Sequence, residues 1–234
     1  TRAARSEEVI SARVARSQGL PRTPERRLHM RFRTLAVAIG LIAGAPLAAC
    51  SQQALAADPA PIDECDRLAA NPPDPDRLVA GVPSSDIDLP VAIAACLAAV
   101  EAYPQEGRFA YQLGRVYTYH DEVDLGVEYF ARSAELGYRQ GYFILGVLIN
   151  NKRDGIEHDT CQMESYWLQA ARMGHAAASI SYVRHLTKGL FDGCPIGASR
   201  EELSAFLEVP TDSAPDYFSR LLVTDLKEDI ENMQ

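Results

Sequence analysis

The chain has 234 residues, 47% hydrophobic and 24% charged, with a formal net charge of −9 and a sequence pI near 5.1. That balance is globular and excludes wholesale disorder. The acidic excess excludes non-specific nucleic-acid binding, which needs basic surface to neutralise phosphates, and the length allows one or two domains.

The charge is segregated. Residues 1–33 hold nine arginines and three glutamates, a net of +6, whereas residues 34–234 hold fourteen basic and twenty-nine acidic side chains, a net of −15. Between the basic head and the acidic body, residues 34–57 carry no charge at all. Arg31 and Arg33 followed by the apolar run Leu35–Ala45 read as the n-region and h-region of a signal peptide over 34–56. The run is shorter than the ~20 apolar residues of a comfortable bilayer span. Two processing signals follow. Ala54-Leu55-Ala56 is an A-x-A site that would cut before Ala57, and Leu47-Ala48-Ala49-Cys50 resembles a lipobox in which Cys50 becomes a lipidated first residue. Ser51 fits outer-membrane sorting rather than inner-membrane retention. Met30 stands immediately before the signal, so the basic leader 1–33 reads as lying largely upstream of the true start; a cytoplasmic leader is the alternative. The expected location is periplasmic or secreted, with an outer-membrane lipoprotein as the variant that Cys50 supports. Membrane contact is expected only through the signal or a lipid anchor.

Residues 57–88 form a Pro/Asp-rich leader. Pro59, Pro61, Pro72, Pro73, Pro75 and Pro83 disfavour continuous helix. One helical turn is expected near Ile62–Ala70, and the aspartates read as solvated loop, since the spaced ligands and central glycine of a calcium loop are missing. From Leu89 the pattern turns helical. Pro90 suits a first turn, and Val91, Ile93, Ala94, Leu97, Ala98 and Val100 recur at helical spacing until Pro104. Helices are expected over Arg108–Tyr119 and Asp124–Leu136, with Gly137 as C-terminal cap. Strand signals are weak throughout, so the expected class is all-α.

Aligning these helices exposes an internal repeat. Phe109-x-Tyr111-x-Leu113-Gly114-x-x-Tyr117 leads to Tyr129-Phe130-x-x-Ser133-Ala134-x-x-Gly137. Gly141-x-Phe143-x-Leu145-Gly146-x-x-Ile149 leads to Tyr166-Trp167-x-x-Ala170-Ala171-x-x-Gly174. Ala178-x-Ile180-x-Tyr182-Val183 opens a third, incomplete unit. Gly114 and Gly146 are 32 residues apart and Gly137 and Gly174 are 37, which places five extra residues in Asn150–Thr160. A single helix pair cannot bury its own apolar face, so such units stack into a solenoid. A mid-helix glycine costs about 1 kcal/mol in propensity, tolerable where a neighbouring helix must approach closely. The aromatics Tyr129, Phe130, Tyr166 and Trp167 would fill the resulting groove.

These residues resemble Sel1-like repeats, relatives of the tetratricopeptide repeat, over roughly residues 108–190. The resemblance implies a short α-solenoid of antiparallel helix pairs, a repeat domain over 89–198, and an interaction module for a protein or peptide. Val183 departs from the glycine of the pattern. Residues 199–234 are expected to form two capping helices, Ser199–Leu207 and Pro215–Ile230, the first opened by a capping box at Ser199-Arg-Glu-Glu202.

With Cys50 lipidated or removed, four cysteines remain. In an exported protein they read as disulfides, with Cys65–Cys96 and Cys161–Cys194 favoured because each pair lies within one part of the chain. A metal site using His158, Cys161, Cys194 and His185 is the weaker alternative, lacking close-spaced cysteine pairs. No nucleophile-elbow, metalloprotease or phosphate-loop motif occurs. His175, after Gly174, reads as a cation at a helix end. The expectation is therefore no enzyme and no cofactor or metal: an adaptor or scaffold for an unidentified envelope protein or peptide, its face including Gln112, Arg115 and Tyr119. The rival readings are a structural lipoprotein and a cell-wall or β-lactam hydrolase.

Overall fold

The computed structural model describes residues 60–153, 156–208 and 217–233, all within one compact unit spanning Leu55–Gln234. The basic leader, the expected signal peptide and Cys50 lie outside the described residues. Among those described there are nine α-helices and no strand: α1 Glu64–Ala69, α2 Leu89–Ala102, α3 Gly107–Tyr119, α4 Val123–Glu135, α5 Arg139–Asn150, α6 Thr160–Arg172, α7 Ala176–Thr187, α8 Arg200–Phe206 and α9 Tyr217–Asn232. Each helix from α1 to α8 packs against the next, and α9 returns onto α7 and α8. The pairs α3/α4 and α5/α6 are the two expected repeat units, and α7 opens the third.

The repeat signature explains the packing. A Cβ on Gly114 would come within 2.7 Å of the Phe130 ring and 2.8 Å of the Gly126 carbonyl, so α3 and α4 cross at backbone distance. In the second unit a Cβ on Gly146 would meet the Trp167 ring at 2.4 Å. Trp167 is 1% exposed and donates its Nε1–H to the Phe143 carbonyl at 3.2 Å. Leu113, Ala134, Leu145 and Ala171 are buried around these crossings. Tyr129 stacks on buried Tyr117, with ring centroids 5.7 Å apart, and Tyr166 packs against Tyr142 at 6.5 Å. Gly137 and Gly174 have φ of +79° and +76°. Each lets its amide and the next fold back onto carbonyls of the preceding helix, Ala134 and Ser133 in one case, Ala171 and Ala170 in the other.

The five-residue insertion is where the spacing placed it. The α3–α4 link spans 120–122 and the α5–α6 link 151–159, six residues longer, and α5 is one residue shorter than α3, which leaves a net gain of five. The expected disulfides are formed: Cys65 is bonded to Cys96, joining α1 to α2, and Cys161 to Cys194, joining α6 to the turn after α7.

Three sequence expectations need correction. The capping box at α8 is half made. Ser199 Oγ accepts from the Glu202 amide, but the Glu202 carboxylate turns to Arg172 in a bidentate pair. A reciprocal box occurs instead at α1, where the Asp63 side chain accepts from the Cys65 amide and Asp66 Oδ2 from the Asp63 amide. The leader aspartates are only partly solvated: Asp86 and Asp88 are exposed, but Asp66 and Asp74 are 0% and 1% exposed. His175 is not a helix-end cation. It is the N-cap of α7, its Nδ1 accepting from the Ala178 amide.

Candidate functional site

Helix α3 carries Arg108, Gln112 and Arg115 at i, i+4 and i+7, a polar stripe on one face. Such a stripe ordinarily faces water. Here every residue from Gly107 to Tyr117 is buried: α2 and α4 cover the other faces, and the leader lies across the stripe.

The leader attaches through charge at its start and through its main chain further on. Arg108 Nε and Nη2 hold both oxygens of Asp66, at 2.8 and 3.3 Å, and Nη2 also reaches the Pro61 carbonyl at 3.2 Å. Gln112 Nε2 donates to Asp66 Oδ1 at 2.8 Å. Arg115 then clamps the neck of a loop, Asn71–Gly81. Its Nη1 donates to the Ala69 and Ala70 carbonyls, both at 3.0 Å, and its Nη2 to the Val82 carbonyl at 2.7 Å. The neck closes through the Val82 amide and the Ala70 carbonyl at 2.8 Å.

The loop continues onto the second unit. Tyr138 donates its hydroxyl to Asp74 Oδ2 at 2.7 Å. Burial raises the Asp74 carboxyl above its ordinary range and pushes the Tyr138 phenol well up. Arg139 holds both oxygens of Asp76 at 2.7 Å and extends Nη1 to the Gly174 carbonyl at 2.7 Å. Behind these contacts runs a buried relay. His175 Nε2 lies 2.6 Å from Gln140 Oε1; Gln140 Nε2 and Asn71 Nδ2 both donate to the Tyr111 hydroxyl, at 3.3 and 2.6 Å. Because His175 Nδ1 accepts from Ala178, the network places the imidazole proton on Nε2. Burial, with Arg139 nearby, pulls this histidine down to about 4, so it is neutral at physiological pH.

This geometry overturns part of the expected partner face. Gln112 and Arg115 are 1% and 4% exposed and already engaged by the chain's own leader, whereas Tyr119 stays 45% exposed. Beside the loop neck a pocket remains open. Asn71, Arg115 and Tyr119 line it together with Phe130, Ile144 and Leu148. The Arg115 guanidinium sits 5.2 Å from the Tyr119 ring centroid. The sequence reading missed Arg108, Asp66, Asp74, Asp76 and Arg139. A usable signal was present for the first two, since Arg108 opens the same i, i+4, i+7 stripe as Gln112 and Arg115.

The alternative metal set does not assemble. Cys161 and Cys194 are spent on each other. His158 Nδ1 and His185 Nδ1 contact the carbonyls of Ile149 and Ser181. No helix among the described residues is long and apolar enough to cross a membrane. The two disulfides are compatible with an extracytoplasmic location.

No protein-family model matches the chain, and no curated protein matches it. Among solved structures the chain is similar to the crystal structure of a Sel1 repeat protein from Oxalobacter formigenes. The identity is 19%, with 54% of this chain and 96% of that chain covered and a TM-score of 0.44.

Proposed function

We propose that this is an exported, disulfide-stapled helical-repeat protein that acts as a protein-interaction adaptor in the bacterial envelope. The observation that carries the reading is the seating of the leader. The first-helix face already recognises polypeptide in cis, through carboxylates on Arg108 and Arg139 and main-chain carbonyls on Arg115. An open pocket with an exposed aromatic rim adjoins that seat. A partner segment would use the same kinds of contact in trans.

The test is cross-linked capture from native envelopes with the chain from Ala57 onward as bait. One dominant protein, competed by excess untagged chain, is the expected result; a blank at good bait yield ends the adaptor reading. The Leu47-Ala-Ala-Cys50 sequence favours a second reading, a lipid-anchored form. Metabolic lipid labelling should then disappear in Cys50→Ala, and labelling that persists removes the anchor.

A further inference from the structure

We propose that the outer face of α2 docks a second copy of this chain, the two helices lying antiparallel across a two-fold axis. This goes beyond the adaptor reading and does not depend on it.

The face is apolar where the end of a helical array is ordinarily polar. Glu101 is the only charged residue among the fourteen of α2, and every other one is apolar. Ala92, Cys96, Ala99 and Val100 are buried, and the helix packs on α1 and α3. The opposite side stays open. Val91 is 51% and Leu97 40% exposed, and Ala94 and Ala98 lie exposed between them. Single exposed apolar side chains are ordinary, but a continuous strip along one helix marks a contact surface. At the far end of the array, α9 turns Asp225, Lys227, Glu228, Asp229 and Glu231 to solvent. A polar outer face on the terminal units keeps such arrays soluble. The C-terminal end has that cover and α2 does not.

The contrast between the two ends selects the occupant. Head-to-tail stacking would press the apolar strip onto the charged face of α9 and strip water from those charges. A two-fold pairing sets the strip against itself and closes at two copies. The chain's own start does not reach far enough in the form cut before Ala57. Three residues then precede Ala60, a reach of about 11 Å. The Ala60 amide is tied to the Glu106 carboxylate, beyond the C-terminal end of α2, and the fourteen-residue helix is about 21 Å long.

Charge sets the direction. A parallel pair would oppose the two Glu101 side chains. With the helices antiparallel and Ala94 of one copy against Ala98 of the other, the two Glu101 stand ten residues apart along the axis, about 15 Å. That exceeds the screening length of about 8 Å at physiological ionic strength. Ala94 and Ala98 also let the axes approach to the near end of the usual range of about 8–10 Å. The face of a single helix is smaller than the roughly 1,200–2,000 Å² of a standard interface, so the dimer is a reversible, micromolar one.

The test uses the chain from Ala57 onward, which holds every described residue. Its mass is followed by sedimentation equilibrium from micromolar to millimolar concentration. The parent should pass reversibly from one copy to two, and more completely as salt screens the repulsion between the acidic bodies. Ala94→Glu, on the exposed strip, should weaken association about tenfold or more and leave the thermal midpoint of the dilute protein in place. Ala98→Lys should weaken it as well. An equal mixture of the two variants should recover the dimer, because the antiparallel register sets the new carboxylate against the new ammonium. A parent that stays monomeric, that grows past two copies, or whose association survives Ala94→Glu overturns the inference, as does a mixture that associates no better than either variant. A monomeric parent that binds phosphatidylcholine vesicles, with binding lost in Ala94→Glu, also overturns it and gives the face to a bilayer.

Discussion

Gly146 and Gly137 serve the same repeat for different reasons, and their alanine variants should separate those reasons. At Gly146 an added methyl would land 2.4 Å from the Trp167 ring, which is 1% exposed and held by its indole hydrogen bond. The helix gains up to about 1 kcal/mol in propensity, but overpacking a ring that cannot retreat costs about 1–3 kcal/mol. Gly137 has open space around a Cβ, so Gly137→Ala meets only the left-handed penalty at φ +79°, about 1–2 kcal/mol. Urea unfolding checks this: Gly146→Ala should lose stability through a clash that Gly146→Ala combined with Trp167→Leu partly relieves, whereas Gly137→Ala should be indifferent to residue 167. His175 makes a second test. Its folded pKa, about 4, lies below the ordinary histidine value. The unfolded chain therefore takes the proton first as pH falls, so the contribution is full above about pH 6.5 and erodes between there and about pH 4. Gln140, the Phe143 ring at 4.4 Å, Arg139 and Asp76 surround it. The melting temperature of His175→Gln should fall less than the parent's between pH 7 and pH 4.5; parallel curves would mean the ring is not buried neutral.

At the scale of the element, α3 carries the clearest prediction. The Arg108–Asp66 pair is buried, so Arg108→Ala strands a carboxylate and should cost about 3–5 kcal/mol in chemical denaturation. The Arg172–Glu202 pair between α6 and α8 is partly exposed, and Arg172→Ala should cost about 1 kcal/mol or less. Similar losses at the two sites would contradict the seating of the leader. The same helix shows what sequence could and could not tell. Its position, its mid-helix glycine and its pairing with α4 were legible, because apolar spacing and the Gly–aromatic match recur one unit later. The cover over its polar stripe was not. Asp66 lies 42 residues before Arg108 and Ala69 lies 46 before Arg115, and local periodicity carries no information at that range. A buried polar stripe and a solvated one look identical until the covering segment is in place.

In the molecule as a whole, three apolar clusters follow one another along the array, and the two disulfides tie one position near each end. Cys65–Cys96 closes a separation of 31 residues and Cys161–Cys194 one of 33, so each should contribute about 3–4 kcal/mol by the chain-entropy account. Cys96→Ser combined with Cys65→Ser should free the leader end, and hydrogen exchange should then rise first in α1 and α2 while α7 and α8 stay protected. Uniform loss of protection would show that the array unfolds as one unit. The solenoid pattern was readable because each unit restates it. The third unit was harder, since Val183 replaces the glycine and α8, with seven residues, is a truncated partner.

The leader binds α3 through Asp66, the residue before α5 through Asp74 and α5 itself through Asp76, and Arg139 continues the contact to the end of α6. Helical arrays ordinarily gain and lose units in evolution, because each touches only its neighbours. Here ten residues of chain measure the distance from one unit to the next. A copy inserted between α4 and α5 would carry Arg139 beyond the reach of Asp76. The leader thus works as a ruler, and a chain that lengthens its array at this point must lengthen the ruler with it.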